Sequence, residues 1–146
     1  MRSLLLEDAR RRPDLFIWTG PIPEQKLRTW LRDNELLDRL PDDLIRLWRA
    51  VGGGDYFETE SILSPLGDVT MGDDVLGVRA LMRGQGLEPG FLPFARGAFT
   101  AAIDTTTGEY VELGPDFQRP GQRYRTLDDW YLNEPRREFA QRYGLA

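Results

Sequence analysis

Apolar residues at Leu40, Leu44, Leu47, Trp48 and Val51 fall at i, i+4, i+7, i+8 and i+11, the period of one helical face. Pro41 suits the first helical position, Asp42 and Asp43 complement the positive end of the helix dipole, and Gly52-Gly53-Gly54 supplies a left-handed stop. These signals together predict an amphipathic helix from Leu40 to Val51. Upstream, Pro23 opens a second helix that aligns Leu27, Trp30 and Leu31, and a short first helix runs from near Ser3 to Pro13.

Beyond the glycines the period changes. Tyr56 to Leu63 mixes aromatic, Thr and Ile residues with charges in rough alternation and stops at Pro65, the pattern of one half-exposed strand. Asp73 is placed to cap a helix running to about Arg83, with Val75, Val78 and Met82 on one stripe. Phe91 to Phe94 predicts a strand; Phe99, Ala101 and Ile103 alternate to Asp104, and a Thr-Thr-Thr-Gly turn leads to Tyr110 to Leu113 as a hairpin. Residues 114–122 hold two Pro and two Gly and read as a loop. Thr126 then caps a helix bearing Leu127, Trp130 and Tyr131, and Pro135 starts a last helix with Phe139 and Tyr143. The order predicts one α+β domain over residues 1–146, its mostly antiparallel or mixed sheet flanked by N-terminal and C-terminal helices.

Composition narrows the chemistry. The 146 residues contain no Cys and no His, which removes thiolate nucleophiles, disulfides, imidazole bases and the usual zinc ligand sets. Carboxylates, the single Lys26, arginines, five tyrosines and three serines remain, a thin catalytic kit that leaves a pair of converging carboxylates as the enzymatic alternative, and no cofactor or metal is expected. The apolar run Leu4-Leu5-Leu6 ends at Glu7 and Asp8, well short of the roughly 7–15 residues of a signal-peptide core, and the chain reads as cytoplasmic.

The short motifs have structural explanations. Gly52-Gly53-Gly54 closes a helix, whereas a phosphate-binding loop opens one and carries Gly-Lys-Ser/Thr. Asp104 to Glu109 lacks the further carboxylates of an EF-hand and suits a hairpin turn. The pairs Asp42/Asp43, Asp73/Asp74 and Asp128/Asp129 all sit where helices begin. Arg119, Arg123, Tyr124 and Arg125 form a basic, aromatic turn, but the formal charge of −5 argues against a nucleic-acid partner. The acids are more suggestive. Asp55, Glu58 and Glu60 straddle the first strand, with Asp104, Glu109 and Glu112 on the later hairpin; beside Tyr56 and Tyr110 they predict an acidic, aromatic face for a basic protein partner.

Leu40-Pro41-Asp42-Asp43-Leu44, leading through Leu47-Trp48 to the Gly-rich stop, resembles the first motif of the SUKH superfamily, which includes Smi/Knr-type proteins. Phe91-Leu92-Pro93-Phe94-Ala95, followed by a strand ending in Asp104 and a Thr-Gly turn into Glu109 to Leu113, is similar to its second hallmark. Thr126-Leu127-Asp128-Asp129-Trp130 resembles the start of its C-terminal helix. The likeness covers roughly residues 36–133 and leaves residues 1–35 as an N-terminal helical extension. It implies a mixed sheet flanked by helices, no catalytic site, and a protein-binding role. Many bacterial members are immunity proteins that block toxins, frequently nucleases, and an acidic binder suits a basic toxin domain. The alternative implied is a Smi/Knr-type regulatory or scaffold module that binds a host protein in signalling or envelope assembly.

Overall fold

The computed structural model describes residues 3–67, 73–114 and 120–145. Helix α1 (Leu4–Arg11) is capped by Ser3, whose hydroxyl accepts the Leu6 N–H. A single 3-10 turn at Pro13–Leu15 then delivers β1 (Phe16–Trp18), a strand that the helical reading of this region does not anticipate. Helices α2 (Glu24–Asp33) and α3 (Asp42–Val51) follow, with Pro23 and Pro41 at their N-cap positions. The predicted stripe of α3 is buried: Leu44, Leu47, Trp48 and Val51 face the core, and the Trp48 indole donates to the Leu63 carbonyl at 2.9 Å.

The remaining strands are β2 (Gly54–Tyr56), β3 (Glu60–Ile62), β4 (Phe91–Arg96), β5 (Ala101–Asp104), β6 (Glu109–Glu112) and β7 (Arg123–Tyr124). They pair with β1 in strict chain order, each neighbour antiparallel, so the fold is α+β and its sheet is a meander. Helix α4 (Val75–Gly84) packs against β4, and α5 (Leu127–Asn133) and α6 (Pro135–Phe139) close the chain against α1 and the late strands. A bulge between Pro93 and Ala95 in β4 absorbs the proline, which has no N–H to give to a ladder. Leu5, Leu15, Ile22 and Leu27 belong to the same core as Trp48, Tyr110 and Trp130, so the N-terminal residues are built into the domain. Among the described residues no helix is long and apolar enough to cross a membrane.

Several elements differ from the sequence reading. The single strand expected over Tyr56–Leu63 is two strands, β2 and β3, reversed at Phe57-Glu58-Thr59. Phe57 and Glu58 take φ of +50° and +68° without the Gly or Asn that normally announces such a turn. Burial explains it: the Phe57 ring sits among Phe16, Tyr56, Tyr131, Phe139 and Tyr143 with centroids 5.2–6.2 Å apart. That packing outweighs roughly 1–2 kcal/mol per residue of left-handed backbone cost. The α4 cap is Asp74, one residue after Asp73, its carboxylate accepting the Gly77 N–H at 2.8 Å. Helix α6 ends at Phe139, short of Tyr143. Most of the expected loop 114–122, including Arg119, lies outside the described residues.

The glycine triplet does more than end α3. Gly52 has φ +81° and a Cβ there would lie 2.2 Å from the Gly20 carbonyl oxygen; at Gly54, with φ +144°, it would lie 2.1 Å from that of Ile17. Hydrogen atoms at these positions let the β1 backbone come down onto the end of α3 and the start of β2.

Candidate functional site

The acidic, aromatic face expected from the sequence does not assemble on the surface. Tyr56, Glu60 and Tyr110, expected there, are buried. Tyr56 and Glu60 pair across β2 and β3 with Phe16 on the other side of Tyr56, and all three point into the core. Burial, reinforced by Glu60 and Glu112, holds the Tyr56 hydroxyl well above its usual range, so it stays neutral. Tyr110 donates to Asp43 at the start of α3, whose second oxygen accepts the Leu127 N–H at 2.7 Å. Asp43 therefore joins α3, β6 and α5; burial and this carboxylate push the Tyr110 hydroxyl upward.

Glu60 is a structural clamp. Its carboxylate accepts the N–H groups of Phe99 at 2.8 Å and Ala98 at 3.1 Å and the Thr59 hydroxyl at 2.8 Å. It thereby ties the β2–β3 reversal to the turn between β4 and β5. Glu60 shares the inward parity of Tyr56 and Ile62, and only its charge makes it look like an outward residue in the linear reading.

Asp104 and Glu109 are partly exposed but not free. The Arg123 guanidinium donates to both, at 2.9 Å and 3.1 Å, and lies over the Phe91 ring. Burial alone would raise Asp104, but Arg123 and the N–H groups of Thr106 and Thr107 hold its carboxyl below the ordinary carboxylate range. One guanidinium thus holds two carboxylates, which halves the charge of this patch and engages both acids.

Two of the expected residues remain outward with no cation beside them among the described residues. Asp55, in the middle of β2, accepts only the Ser61 hydroxyl at 2.8 Å, and Glu58 projects from the reversal. Among the described residues neither lies within ion-pair distance of an arginine or lysine. Beside Asp55 in register lies Ile17, 70% exposed, and a hollow of about 160 Å³ opens between Ile17, Trp18, Asp55, Ser61, Ser64 and Asp73. Ile17 and Trp18 were not singled out from the sequence. Phe16-Ile17-Trp18 is rich in strand formers, but three residues are too few for alternation to show.

A second concavity, about 350 Å³, lies where α1, α3 and α5 begin, with Leu6, Pro41, Leu47 and Leu127 on its walls and Arg46 and Arg125 at its rim. Two of its three carboxylates are engaged, Asp43 as above and Asp128, which accepts the Leu4 N–H at 2.9 Å; the third, Asp42, is exposed.

The other inward carboxylates are also structural. Asp8, 1% exposed, accepts from the Tyr131 hydroxyl at 2.7 Å and the Arg136 Nε at 2.8 Å. Glu112 accepts the Trp130 indole N–H at 2.8 Å. Burial pushes the Glu112 carboxyl up to about 7, against the lowering effect of Trp130 and with the support of the negative charges of Glu134 and Glu60. Among the described residues no three Asp or Glu side chains converge to hold a metal ion. What the surface offers is an unneutralised acidic strand-and-turn beside exposed apolar residues, which can attract and seat a basic chain. In comparisons with known families, characterised proteins and solved structures, nothing matches this chain.

Proposed function

We propose that the protein is a non-enzymatic protein-binding domain of the immunity type, which neutralises a basic toxin domain, such as a nuclease, by covering its working surface. The supporting observation is the division of its carboxylates. Asp8, Asp43, Glu60 and Glu112 are engaged by N–H and O–H donors, whereas Asp55, beside the exposed Ile17, and Glu58 face outward with no cation among the described residues. Outward negative charge speeds encounter with a basic partner, and apolar contact beside it slows release. The likeness of Leu40 to Trp48 and of Phe91 to Ala95 to SUKH motifs points the same way.

The test is capture of partners on tagged protein from host lysate, washed at low and at high salt, followed by expression of the retained partner. The expected result is one basic polypeptide, retained at low salt and loosened at high salt, whose toxicity on expression is relieved by this protein. A retained partner that leaves growth unimpaired overturns the immunity reading in favour of a Smi/Knr-type regulatory module. Turnover in a glycoside or phosphoester screen, lost on a single carboxylate substitution, overturns the non-enzymatic reading.

A further inference from the structure

We infer that β1 is the docking strand: an extended partner segment with alternating apolar and basic side chains adds to the sheet edge beside Phe16–Trp18. This rests on the protein-binding reading above and gives that binding its geometry.

The backbone supplies the first argument. Toward β2, the Leu15 carbonyl accepts the Phe57 N–H at 3.0 Å and the Thr19 N–H donates to the Gly53 carbonyl at 2.8 Å, with Ile17 opposite Asp55 between them. In an antiparallel ladder the intervening residues turn their polar groups the other way. The N–H and C=O of Phe16 and Trp18 therefore point off the sheet, where β1 is the terminal strand. Among the described residues no hydrogen bond to another element engages them. The strand carries no Pro, Lys or bulge, the usual means of blunting an edge. The opposite edge differs: β7 has two residues and runs straight into α5.

Side chains identify the occupant. Phe16 is anchored inward on Tyr56 and Phe57, which fixes the strand, while Ile17 stands outward. A partner residue opposite Ile17 lies two strand spacings from Asp55, about 9–10 Å, a gap that a Lys or Arg stem bridges while covering Ile17. The hollow beside Ile17 receives one such side chain, and Asp55 is its counterion. Pairing of β1 with β1 of a second copy would bury Ile17 but bring no cation to the β1 side of Asp55, whose other side faces Ser61 and, two strands away, Arg96. Charge thus selects a basic heterologous strand, in the manner of strand-addition recognition.

The experiment uses the full chain and the capped synthetic heptapeptide Lys-Val-Lys-Val-Lys-Val-Lys as probe, followed by amide NMR. With peptide at ten times its Kd, exchange of the Phe16 and Trp18 amides slows about tenfold, and high salt reverses the effect. A peptide N-methylated at alternate residues fails to protect them, and Ile17→Lys, which leaves the melting temperature unchanged, abolishes binding of the plain peptide. Unchanged exchange at these amides, equal protection by the N-methylated peptide, or protection that grows with protein concentration without peptide overturns the inference. If a captured toxin binds Ile17→Lys as tightly as wild type, the docking geometry fails while the immunity reading stands. If the heptapeptide protects β1 but the captured partner is harmless, the reverse holds.

Discussion

Replacing Glu60 by Ala removes an acceptor that three donors share. Hydrogen bonds to a charged acceptor contribute about 1.5–3 kcal/mol each. The Phe99 N–H, at 2.8 Å, is half-buried and loses its partner outright, whereas Ala98 lies on an exposed turn and Thr59 on an exposed reversal, where water replaces the lost bond. The sum is a destabilisation of about 2–4 kcal/mol, or roughly 10 °C in Tm for a domain of this length. Glu60→Gln keeps one acceptor oxygen but turns an amide NH2 toward a second donor, and costs about half as much. Urea unfolding measures both, with an unchanged m-value marking a loss of native interactions. Faster exchange of the Phe99 amide locates the loss. If Glu60→Ala unfolds within 0.5 kcal/mol of wild type, the clamp has no energetic role and the assignment of Glu60 to the interior architecture is wrong.

Gly54→Ala sets a Cβ 2.1 Å from the Ile17 carbonyl oxygen, so it is expected to cost about 3–5 kcal/mol and to loosen β1, read by thermal unfolding and by exchange of the Thr19 amide. Asp8→Ala leaves the Arg136 guanidinium and Tyr131 hydroxyl without their shared acceptor, and is expected to cost about 3–5 kcal/mol in urea unfolding. The folded Glu112 carboxyl, at about 7, sits above its unfolded value, so the native state holds an extra proton between the ordinary carboxyl range and about 7. Wild-type stability therefore falls as pH rises through that window. Glu112→Gln, which still accepts from Trp130, lacks this fall and is more stable than wild type near pH 8 by about 1 kcal/mol after allowance for its partial exposure; parallel pH slopes for the two proteins would contradict this.

What the sequence made legible was the part governed by local rules. The α3 stripe, the Ser3, Thr126 and Gly52 caps and stops, and the β5–β6 hairpin follow from period, capping and turn chemistry, and they appear as expected. What it hid were decisions made by distant contacts. The reversal at Phe57 and Glu58 is set by rings from β1, α5 and α6, and no residue in the turn announces it. Glu60 looks outward in a linear reading because of its charge, although it shares the inward parity of Tyr56 and Ile62. Tyr56 and Tyr110 look like interface anchors in a linear reading because aromatic residues serve both cores and interfaces; only the meeting of Tyr110 with Asp43, 67 positions away, decides between them. Asp104 and Glu109 are likewise engaged by Arg123, which reaches both from β7 and offsets half of their charge.

Helix α1 holds on to the domain almost entirely through the other end of the chain. The Leu4 N–H meets Asp128, Asp8 meets Tyr131 and Arg136, and Arg12 meets the Tyr143 carbonyl, at sequence separations of 123 to 131 residues. The sheet, by contrast, pairs only strands that follow one another in the chain, by short reversals at β2–β3, β4–β5 and β5–β6 and by longer connections elsewhere. Synthesis on the ribosome therefore allows the meander to zip up progressively while α1, though made first, waits for α5 and α6 before its carboxylate can be buried. Burial of α1 is completed by the last helices, and a chain stalled before Asp128 carries Asp8, Leu5 and Ala9 as an unsatisfied surface for the cell's chaperones to recognise.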